Sequence, residues 1–131
     1  MTFYNKEVIR IQQQLYPEAL YRQVVLSKTF IETYFANPIR LNDMAASACI
    51  SKYHFIRLFK NTYGRTPHQY LTAVRIAEAK SLLRAGWPVV DVCVAVGFDS
   101  VTSFTGLYKK ITGATPAAFQ HKIRNKAKKQ F

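Results

Sequence analysis

A segment of about thirty residues occurs twice in this chain, and this duplication limits the possible folds more than any other feature. Shifting the sequence by 49 positions aligns eight identical pairs within residues 41–70, where composition alone predicts roughly two. The pairs are Ala46/Ala95, Ser51/Ser100, Phe55/Phe104, Leu58/Leu107, Lys60/Lys109, Gly64/Gly113, Thr66/Thr115 and Pro67/Pro116. In both copies apolar residues recur every three or four positions, which is helical spacing. The repeat therefore predicts an all-α fold that contains two helix-turn-helix subdomains.

Glycine, proline and capping residues divide the chain into about seven predicted helices, with an N-terminal helical extension before them. The predicted spans are Pro17 to Ala36, Asn42 to Ala48, Ser51 to Thr62, Pro67 to Leu83, Val89 to Val96, Ser100 to Ile111, and a short helix from Pro116. Ser51 is the expected N-cap of the third helix and Gly64 its left-handed end, while Thr66 and Gln69 form a capping box before the fourth.

These boundaries predict four parts of the chain. They are an N-terminal extension (1–16), a first helix-turn-helix subdomain with its linker helix (17–83, linker 67–83), a second subdomain (84–121) and a basic tail (122–131). We expect the end of the tail to be disordered, because it is short, charged and terminal.

Basic residues dominate the charge and lie mostly in the duplicated part. The chain holds 19 Lys and Arg against 7 Asp and Glu, which gives a net charge of +12 and a pI near 10.0. Residues 38–131 carry 15 of the basic residues and 4 of the acids. Such an excess favours a polyanionic partner, and double-stranded DNA is the first candidate.

Other classes of protein are disfavoured by what the sequence lacks. It has no run of about 18 apolar residues and no apolar signal segment, so we expect a cytoplasmic, nucleoid-associated protein with no membrane partner. Cys49 and Cys93 are predicted to be inert core thiols, with a redox-sensor role as the weaker alternative. No Cys/His cluster has metal-ligand spacing and the acids lie singly, so we expect no metal, no cofactor and no enzyme activity.

The second helix of the first unit has one apolar side and one basic side. At about 100° per residue, Ser51, Phe55, Leu58, Phe59 and Thr62 share one side, and Lys52, Tyr53, Ile56, Arg57 and Lys60 share the other. The second set suits a reader of the major groove, because Arg binds guanine edges, an aliphatic group touches a thymine methyl and Lys binds phosphate. Taken alone, this side is equally consistent with a merely solvated surface. The second copy and the net charge favour DNA.

The corresponding helix of the second unit is far less basic. Its outward side holds Val101, Thr102, Thr105, Gly106 and Lys109, and its core side holds Phe104, Leu107, Tyr108 and Ile111. Glycine inside a helix costs about 1 kcal/mol relative to Ala, so at Gly106 either the backbone approaches DNA closely or a long side chain has been lost. The first helix should therefore do most of the base reading. The predicted phosphate contacts are Ser51, Lys52, Lys60, Ser100, Lys109 and Lys110.

The span from about Leu41 to Gln120 resembles the DNA-binding domain of AraC/XylS-type bacterial transcription regulators. The stretches that carry the resemblance are "MAASACISKYHFIRLFKNTYGRTPHQYLTAVRIAEAKSLL" and "VGFDSVTSFTGLYKKITGATPAAF". The resemblance implies two motifs joined by a linker helix, with reading helices in adjacent major-groove segments. The family's base-contacting positions fall on Tyr53, Ile56 and Arg57 in the first motif and on Val101, Thr102, Thr105 and Gly106 in the second.

The resemblance has implications beyond the fold. In the family Arg usually stands at the position of Gly106 and often at that of Gln120, and Phe is common at that of Tyr108, so the second motif should bind DNA more weakly. RNA polymerase is a candidate further partner, with activation of transcription as the expected outcome. Many members of the family carry a sensory domain, so this chain is either the C-terminal piece of a larger protein, with a sensory domain missing from it, or a stand-alone regulator controlled by its abundance. Residues 1–16 are open between a packing helix, a dimer contact and a linker remnant, with Val8, Ile11 and Leu15 at helical spacing.

The hypothesis is a sequence-specific DNA-binding transcription regulator with two unequal recognition helices. The alternative is a sequence-nonspecific architectural protein that binds duplex DNA.

Overall fold

The structure, a computed structural model, describes the backbone of residues 3–129 and the side chains of residues 18–129. Within that range the regular structure is entirely α-helical. The helices are α1 (Phe3–Tyr34), α2 (Leu41–Ser47), α3 (Lys52–Tyr63), α4 (Pro67–Arg84), α5 (Val89–Ala95), α6 (Val101–Thr112) and α7 (Pro116–Lys129). The predicted all-α fold is confirmed, and from α2 onward each helix begins within one residue of its predicted start.

The helices α3 and α6 begin and end in the same way. A serine at each N-cap, Ser51 or Ser100, accepts a hydrogen bond from the backbone N–H three residues later, at 3.4 and 3.1 Å. A left-handed glycine follows each helix, with φ of 73° at Gly64 and 90° at Gly113. Glycine adopts this conformation without the steric cost that a Cβ brings. The capping residues thus define both helices, as the sequence predicted.

The helix α4 begins at the predicted capping box. The backbone N–H of Thr66 donates to Oε1 of Gln69 at 3.0 Å, and the N–H of Gln69 donates to Oγ1 of Thr66 at 3.1 Å. Pro67 occupies the first helical position, where the N–H that it lacks would have no intrahelical acceptor. The helix continues to Arg84, which confirms the predicted linker helix.

The two helix-turn-helix motifs differ by one residue in their turns. The helices α2 and α5 begin 48 residues apart, whereas α3 and α6 begin 49 residues apart. Burial follows the same offset of 48, since the buried residues Met44, Ala45 and Ala48 match the buried residues Val92, Cys93 and Val96. Ala46 therefore corresponds to Val94 and not to Ala95. The pair Ala46/Ala95 was wrong because a single shift of the sequence cannot represent an insertion.

The first and last helices are longer than the sequence predicted. The helix α1 does not begin at Pro17, because its helical backbone runs from Phe3 through Pro17 to Tyr34. A proline inside a helix loses one backbone hydrogen bond and its ring crowds the carbonyl four residues earlier, but the helical backbone continues through Pro17. The basic tail is helical from residue 122 as far as Lys129, since Ala, Gln, Lys and Arg favour helix. The last two residues of the tail lie outside the described part of the chain. The predicted roles of Val8, Ile11 and Leu15 lie outside the described side chains.

The first compact unit contains Ile39–Tyr70 together with the α1 residues up to Thr33. Phe55 and Phe59 of α3 are fully buried, and their rings meet edge to face with 5.7 Å between centroids. The other buried apolar residues of this unit lie in α1, in or just after α2, and at the start of α4: Val24, Ile31, Met44, Ala45, Ala48 and Pro67. The core of this unit therefore lies directly beneath α3.

A tyrosine pair links α1 to the start of α4 within this unit. The rings of Tyr63 and Tyr70 stack at 6.4 Å, and the Lys28 ammonium lies 5.4 and 5.9 Å from their centres. The Tyr70 hydroxyl donates to the Glu32 carboxylate, which also pairs with Lys28 at 3.6 Å. Burial, and then the hydrogen bond to Glu32, raises the pKa of Tyr70 well above its ordinary value, because ionisation would place a second negative charge beside the carboxylate.

The second compact unit contains Tyr34–Pro38 together with the described residues from Leu71 onward. Its core consists of Ile76, Ala79, Leu83, Val92, Cys93, Val96, Phe104 and Tyr108. The Arg75 guanidinium holds the 34–38 segment on α4: Nε donates to the Phe35 carbonyl at 2.7 Å and Nη2 donates to the Asn37 carbonyl at 3.0 Å. The helices α5 and α6 thus pack on a core that the segment after α1 helps to close.

Candidate nucleic-acid interface

The outward side of α3 presents one aromatic ring and three cations to solvent. Tyr53 is 80% exposed, and Lys52, Arg57 and Lys60 are also exposed. The Lys52 ammonium lies 5.6 Å from the centre of the Tyr53 ring, which is within the range of cation–π attraction. The sequence has no Asp or Glu from Ser51 to Tyr70. This side of the helix therefore offers groups that bind bases and phosphates, with no acid of its own helix to oppose them.

The buried side of α3 fixes the direction in which these groups point. Phe55 and Phe59, which alternate with the outward residues, are both 0% exposed. Rotating the helix would withdraw these two rings from a close-packed core, at a cost of several kcal/mol if even one ring were lost. Tyr53 and Arg57 are therefore presented by a rigid helix rather than by a mobile loop.

Ile56 is half-buried, whereas the sequence predicted an exposed side chain. It lines an apolar cleft of about 520 Å³ together with Ile39, Arg40, Leu41, Met44, Thr66, Pro67 and His68. A helical wheel shows which side a residue occupies but not which neighbouring segments flank that side. Part of the side chain is accessible, so contact with a thymine methyl is compatible with its position.

The outward side of α6 is smaller and less basic. Val101 is 40% exposed, Thr102 and Gly106 are exposed, and Thr105 is half-buried. Lys109 and Lys110 are exposed near the C-terminal end of the helix. Ile111 was predicted on the core side, but it is 50% exposed. It lies in the last turn of α6, one residue before the end of the helix.

Gly106 has open space around it. Apart from its chain neighbours and the backbone of its own helix, a Cβ built there would meet no atom within 4 Å. The protein's own packing therefore does not require glycine at this helical position, although glycine is costly there. The sequence left two explanations open, close approach of the backbone to DNA and loss of a long side chain. No contact within the protein decides between them.

The two N-cap serines already have structural partners. Ser51 Oγ accepts from the backbone of α3. Ser100 Oγ accepts from the Ser103 N–H and also donates to Ser103 Oγ at 2.9 Å. A phosphate contact at Ser100 would have to replace this hydroxyl pair, so the structure makes Ser51 the freer donor of the two.

Gln120 has a structural role that the sequence did not reveal. Its side chain is buried, and Nε2 donates to the carbonyls of Leu83 and Trp87 at 3.1 and 2.7 Å. These carbonyls lie at the end of α4 and just beyond it, where helical acceptors lack intrahelical donors. The only available signal was a polar residue at a core position of α7. The hydroxyl of nearby Tyr108 is also buried, and no partner for it lies among the described residues.

The two cysteines have different environments. Cys93 is buried as predicted, and burial, followed by the charge of Asp99, raises the pKa of its thiol and keeps it protonated. Cys49 is exposed, which corrects its prediction as a core thiol. It lies in the turn between α2 and α3 with a left-handed backbone, φ 55°. Proximity to a turn indicates a small residue but does not say which way its side chain points.

Two further properties concern the described part of the chain. None of its helices combines the length and apolar character needed to cross a bilayer. Its His, Cys, Asp and Glu side chains form no group of three or more that would hold a metal ion.

Comparisons with known proteins agree with this geometry. A family model described as a helix-turn-helix domain matches residues 44–122. The probable transcriptional regulator LumQ of Photobacterium leiognathi is 31% identical over 102 residues, which cover 77% of this chain and 41% of LumQ. The DNA-binding domain of AdpA, a global transcriptional factor solved in complex with a target DNA, superimposes with a TM-score of 0.76 at 25% identity, over 79% of this chain and 94% of that chain.

A probable AraC family transcriptional regulator from Rhodopseudomonas palustris has the same fold, with a TM-score of 0.70 at 23% identity over 78% of this chain and 97% of that chain. These features define a DNA-binding domain with two helix-turn-helix motifs. The chain belongs to the AraC/XylS-type family of helix-turn-helix transcription regulators. It spans less than half the length of the curated relative LumQ.

Proposed function

We propose that the chain gives a transcription regulator its sequence specificity, with α3 as the principal reading helix and α6 as the weaker one in an adjacent segment of the major groove. The observation that carries this proposal is the outward side of α3, where Tyr53, Arg57 and Lys60 stand exposed above two fully buried phenylalanines. An Arg on a helix that is fixed by its buried side suits bidentate contact with guanine, and Lys60 suits a phosphate. We assign the base contacts of this helix to Tyr53, Ile56 and Arg57.

In the second motif, Val101, Thr102, Thr105 and Gly106 would supply thymine-methyl and backbone contacts. The phosphate contacts would come from Ser51, Lys52, Lys60, Ser100, Lys109 and Lys110. Because the two outward sides differ in charge and size, the preferred site should be asymmetric. RNA polymerase is the proposed second partner, in the cytoplasm at the nucleoid. The greater length of LumQ supports a regulator that also includes a sensory domain.

The decisive experiment selects bound duplexes from a random pool at physiological salt. We expect an asymmetric motif with two half-sites about one helical turn apart, since that is the spacing of successive major-groove segments on one side of DNA. A pool that keeps its random composition, with scrambled duplexes competing equally, would instead establish the architectural alternative.

A further inference from the structure

A further group of cations lies on α7, outside the two reading helices. Lys122, Lys126 and Lys129 are exposed. Spacings of four and three residues place the three lysines on one side of the helix. They line a shallow groove of about 420 Å³ together with Ala118, His121 and Asn125. We call Lys122, Lys126 and Lys129 the lysine face of α7.

Two cations of α4 border this face. The Lys80 ammonium lies 5.7 Å and the Arg84 guanidinium carbon 5.8 Å from the centre of the Phe119 ring. Phe119 precedes Lys122 by three residues, and residues at this spacing are neighbours on a helix surface. All these residues belong to the second compact unit. This unit therefore has a cationic surface to which two helices contribute.

The charges of the lysine face are not balanced along the chain. The last acid of the sequence is Asp99, and seven Lys and Arg follow it. Lys122 and Lys126 stand four residues apart, where like charges destabilise a helix. Attraction to the negative end of the helix accounts for cations in its last turn, such as Lys126 and Lys129. It does not account for Lys122, whose position is explained if the lysine face binds an anion.

The reading side of the same unit has few cations. Between Arg84 and Lys109 the sequence contains neither Lys nor Arg. The cations of α6 are Lys109 and Lys110, both in its last turn. Because neutralisation of phosphates supplies much of the affinity of a protein for DNA, α6 alone would hold its half-site weakly. Further cations of this unit would strengthen that hold if they reached the same duplex.

We propose that the lysine face of α7 binds phosphates of the DNA that flanks the second half-site, beyond the base pairs that α6 reads. The inference rests on the proposed function, which places α6 at that half-site. Contacts to phosphate carry no sequence information, so the flank is held whatever its sequence. The DNA that the protein contacts is therefore longer than the motif that selection recovers.

The test compares three duplexes that carry the selected site. One ends at the outer edges of the two half-sites, one continues for about one helical turn beyond the second half-site, and one continues equally far beyond the first. The variant Arg57→Ala identifies the first half-site, because it relaxes the base preference there. Fluorescence anisotropy at several salt concentrations gives the affinity for each duplex.

For the wild-type chain, only the extension beyond the second half-site should tighten binding. We expect a gain of about tenfold at about 50 mM salt and little gain at about 200 mM, because two phosphate contacts lose about tenfold in affinity over this range. The log–log salt slope on this duplex should be steeper by about two units than on the short duplex. The other extension should change affinity less than about twofold.

The variant Lys122→Gln/Lys126→Gln removes two charges of the lysine face. It should bind the extended and the short duplex with equal affinity and equal salt slope, and it should bind the short duplex as the wild type does. The matched control is Arg124→Gln/Lys128→Gln, which makes the same change of charge at the same spacing on the opposite side of α7. The control should keep the gain and the slope. Both variants should unfold at the wild-type temperature, since Gln and Lys favour helix about equally.

Several results would overturn the inference. They are equal gains from both extensions, no gain with wild-type protein, a gain that the lysine variant keeps, and equal losses in the two double variants. Weaker binding of the short duplex by the lysine variant would also overturn it, because the lysines would then act within the two half-sites. The wild-type comparison of the two extensions decides the question without any variant. A selection that recovers no motif would remove the proposed function itself, whereas a motif without a gain from the flank would remove this inference alone.

Discussion

Cys49 and Gly97 occupy the same position in the two motifs, one residue after the C-cap of the first helix, and both have left-handed backbones, with φ of 55° and 91°. An L-residue pays roughly 1 to 2 kcal/mol for this conformation, whereas glycine does not. The backbone of the first motif is therefore strained at Cys49, whereas the backbone of the second motif is unstrained at Gly97.

Replacing Cys49 by Gly should raise the free energy of unfolding by about 0.5 to 1 kcal/mol. Relief of roughly 1 to 2 kcal/mol of backbone strain exceeds the roughly 0.4 to 1 kcal/mol that glycine adds to the entropy of the unfolded chain. Urea denaturation measures the difference. The control Cys49→Ala keeps a Cβ and should stay within about 0.5 kcal/mol of wild type. An equal gain with Ala would assign the effect to the thiol and not to the backbone.

Replacing Gly97 by Ala should lower the free energy of unfolding by about 2 to 3 kcal/mol. The new Cβ would lie 2.9 Å from the Ala36 carbonyl oxygen and 3.0 Å from that of Phe35, both backbone atoms that cannot rotate away. Gly64→Ala is the matched control, because Gly64 also has a positive φ but a Cβ added there would meet no atom within 4 Å. Gly64→Ala should lower the free energy of unfolding only by the cost of the left-handed backbone, about 1 kcal/mol. Equal losses would show that the contact contributes nothing.

The contrast between these turns shows how far the sequence determines the fold. Serine caps, left-handed glycines and the Thr66–Gln69 capping box act locally, so their residues alone were enough to place α3, α4 and α6. Cys49 gave no such signal, because its conformation is imposed by the helices on both sides of the turn. Ile56 and Ile111 were assigned to the wrong environment for a related reason: their exposure depends on segments that are distant in sequence. The DNA contacts themselves stay a prediction, as does the division of the chain at residues 16, 83 and 121.

Replacing Arg57 by Ala should weaken binding to the selected duplex by about 1 to 3 kcal/mol and relax the preference at one base pair. The reason is loss of a bidentate contact to a base edge. Fluorescence anisotropy with the selected duplex and its single-base variants measures both effects. If the selected and scrambled duplexes were bound as before, α3 would not read bases through this residue.

Replacing Lys60 by Ala should weaken binding to all duplexes by a similar factor. A lysine on a phosphate carries no base information, and its loss should lower the log–log salt slope by about one unit. Titrations of selected and scrambled duplexes at several salt concentrations provide the measurement, with Arg57→Ala as the contrasting variant. A loss confined to the selected duplex would contradict a phosphate role.

Stability should fall as the pH rises above about 10. The pKa of Tyr70 is raised in the folded protein above the ordinary value of about 10 that applies to the unfolded chain. The unfolded chain therefore loses this proton first, and linkage favours unfolding at higher pH. The contribution of Tyr70 is complete below pH about 10 and is lost as the pH approaches its folded pKa.

Urea midpoints between pH 8 and pH 11 should decline less steeply for Tyr70→Phe than for wild type. Tyr53→Phe, at an exposed tyrosine, serves as the control and should follow the wild-type curve. Identical slopes for all three proteins would mean that ionisation of Tyr70 does not contribute to the fall in stability with pH.

The extra residue in the second turn restricts how the motifs can be exchanged. A chimera that moves α3 into the second motif should be joined at the N-cap serines, so that each α2 or α5 keeps its own connection. A junction inside α2 or α5 would import a turn of the wrong length and displace the transplanted helix relative to the phenylalanines below it. The two halves of this duplication are consequently no longer interchangeable modules, even where their residues are identical.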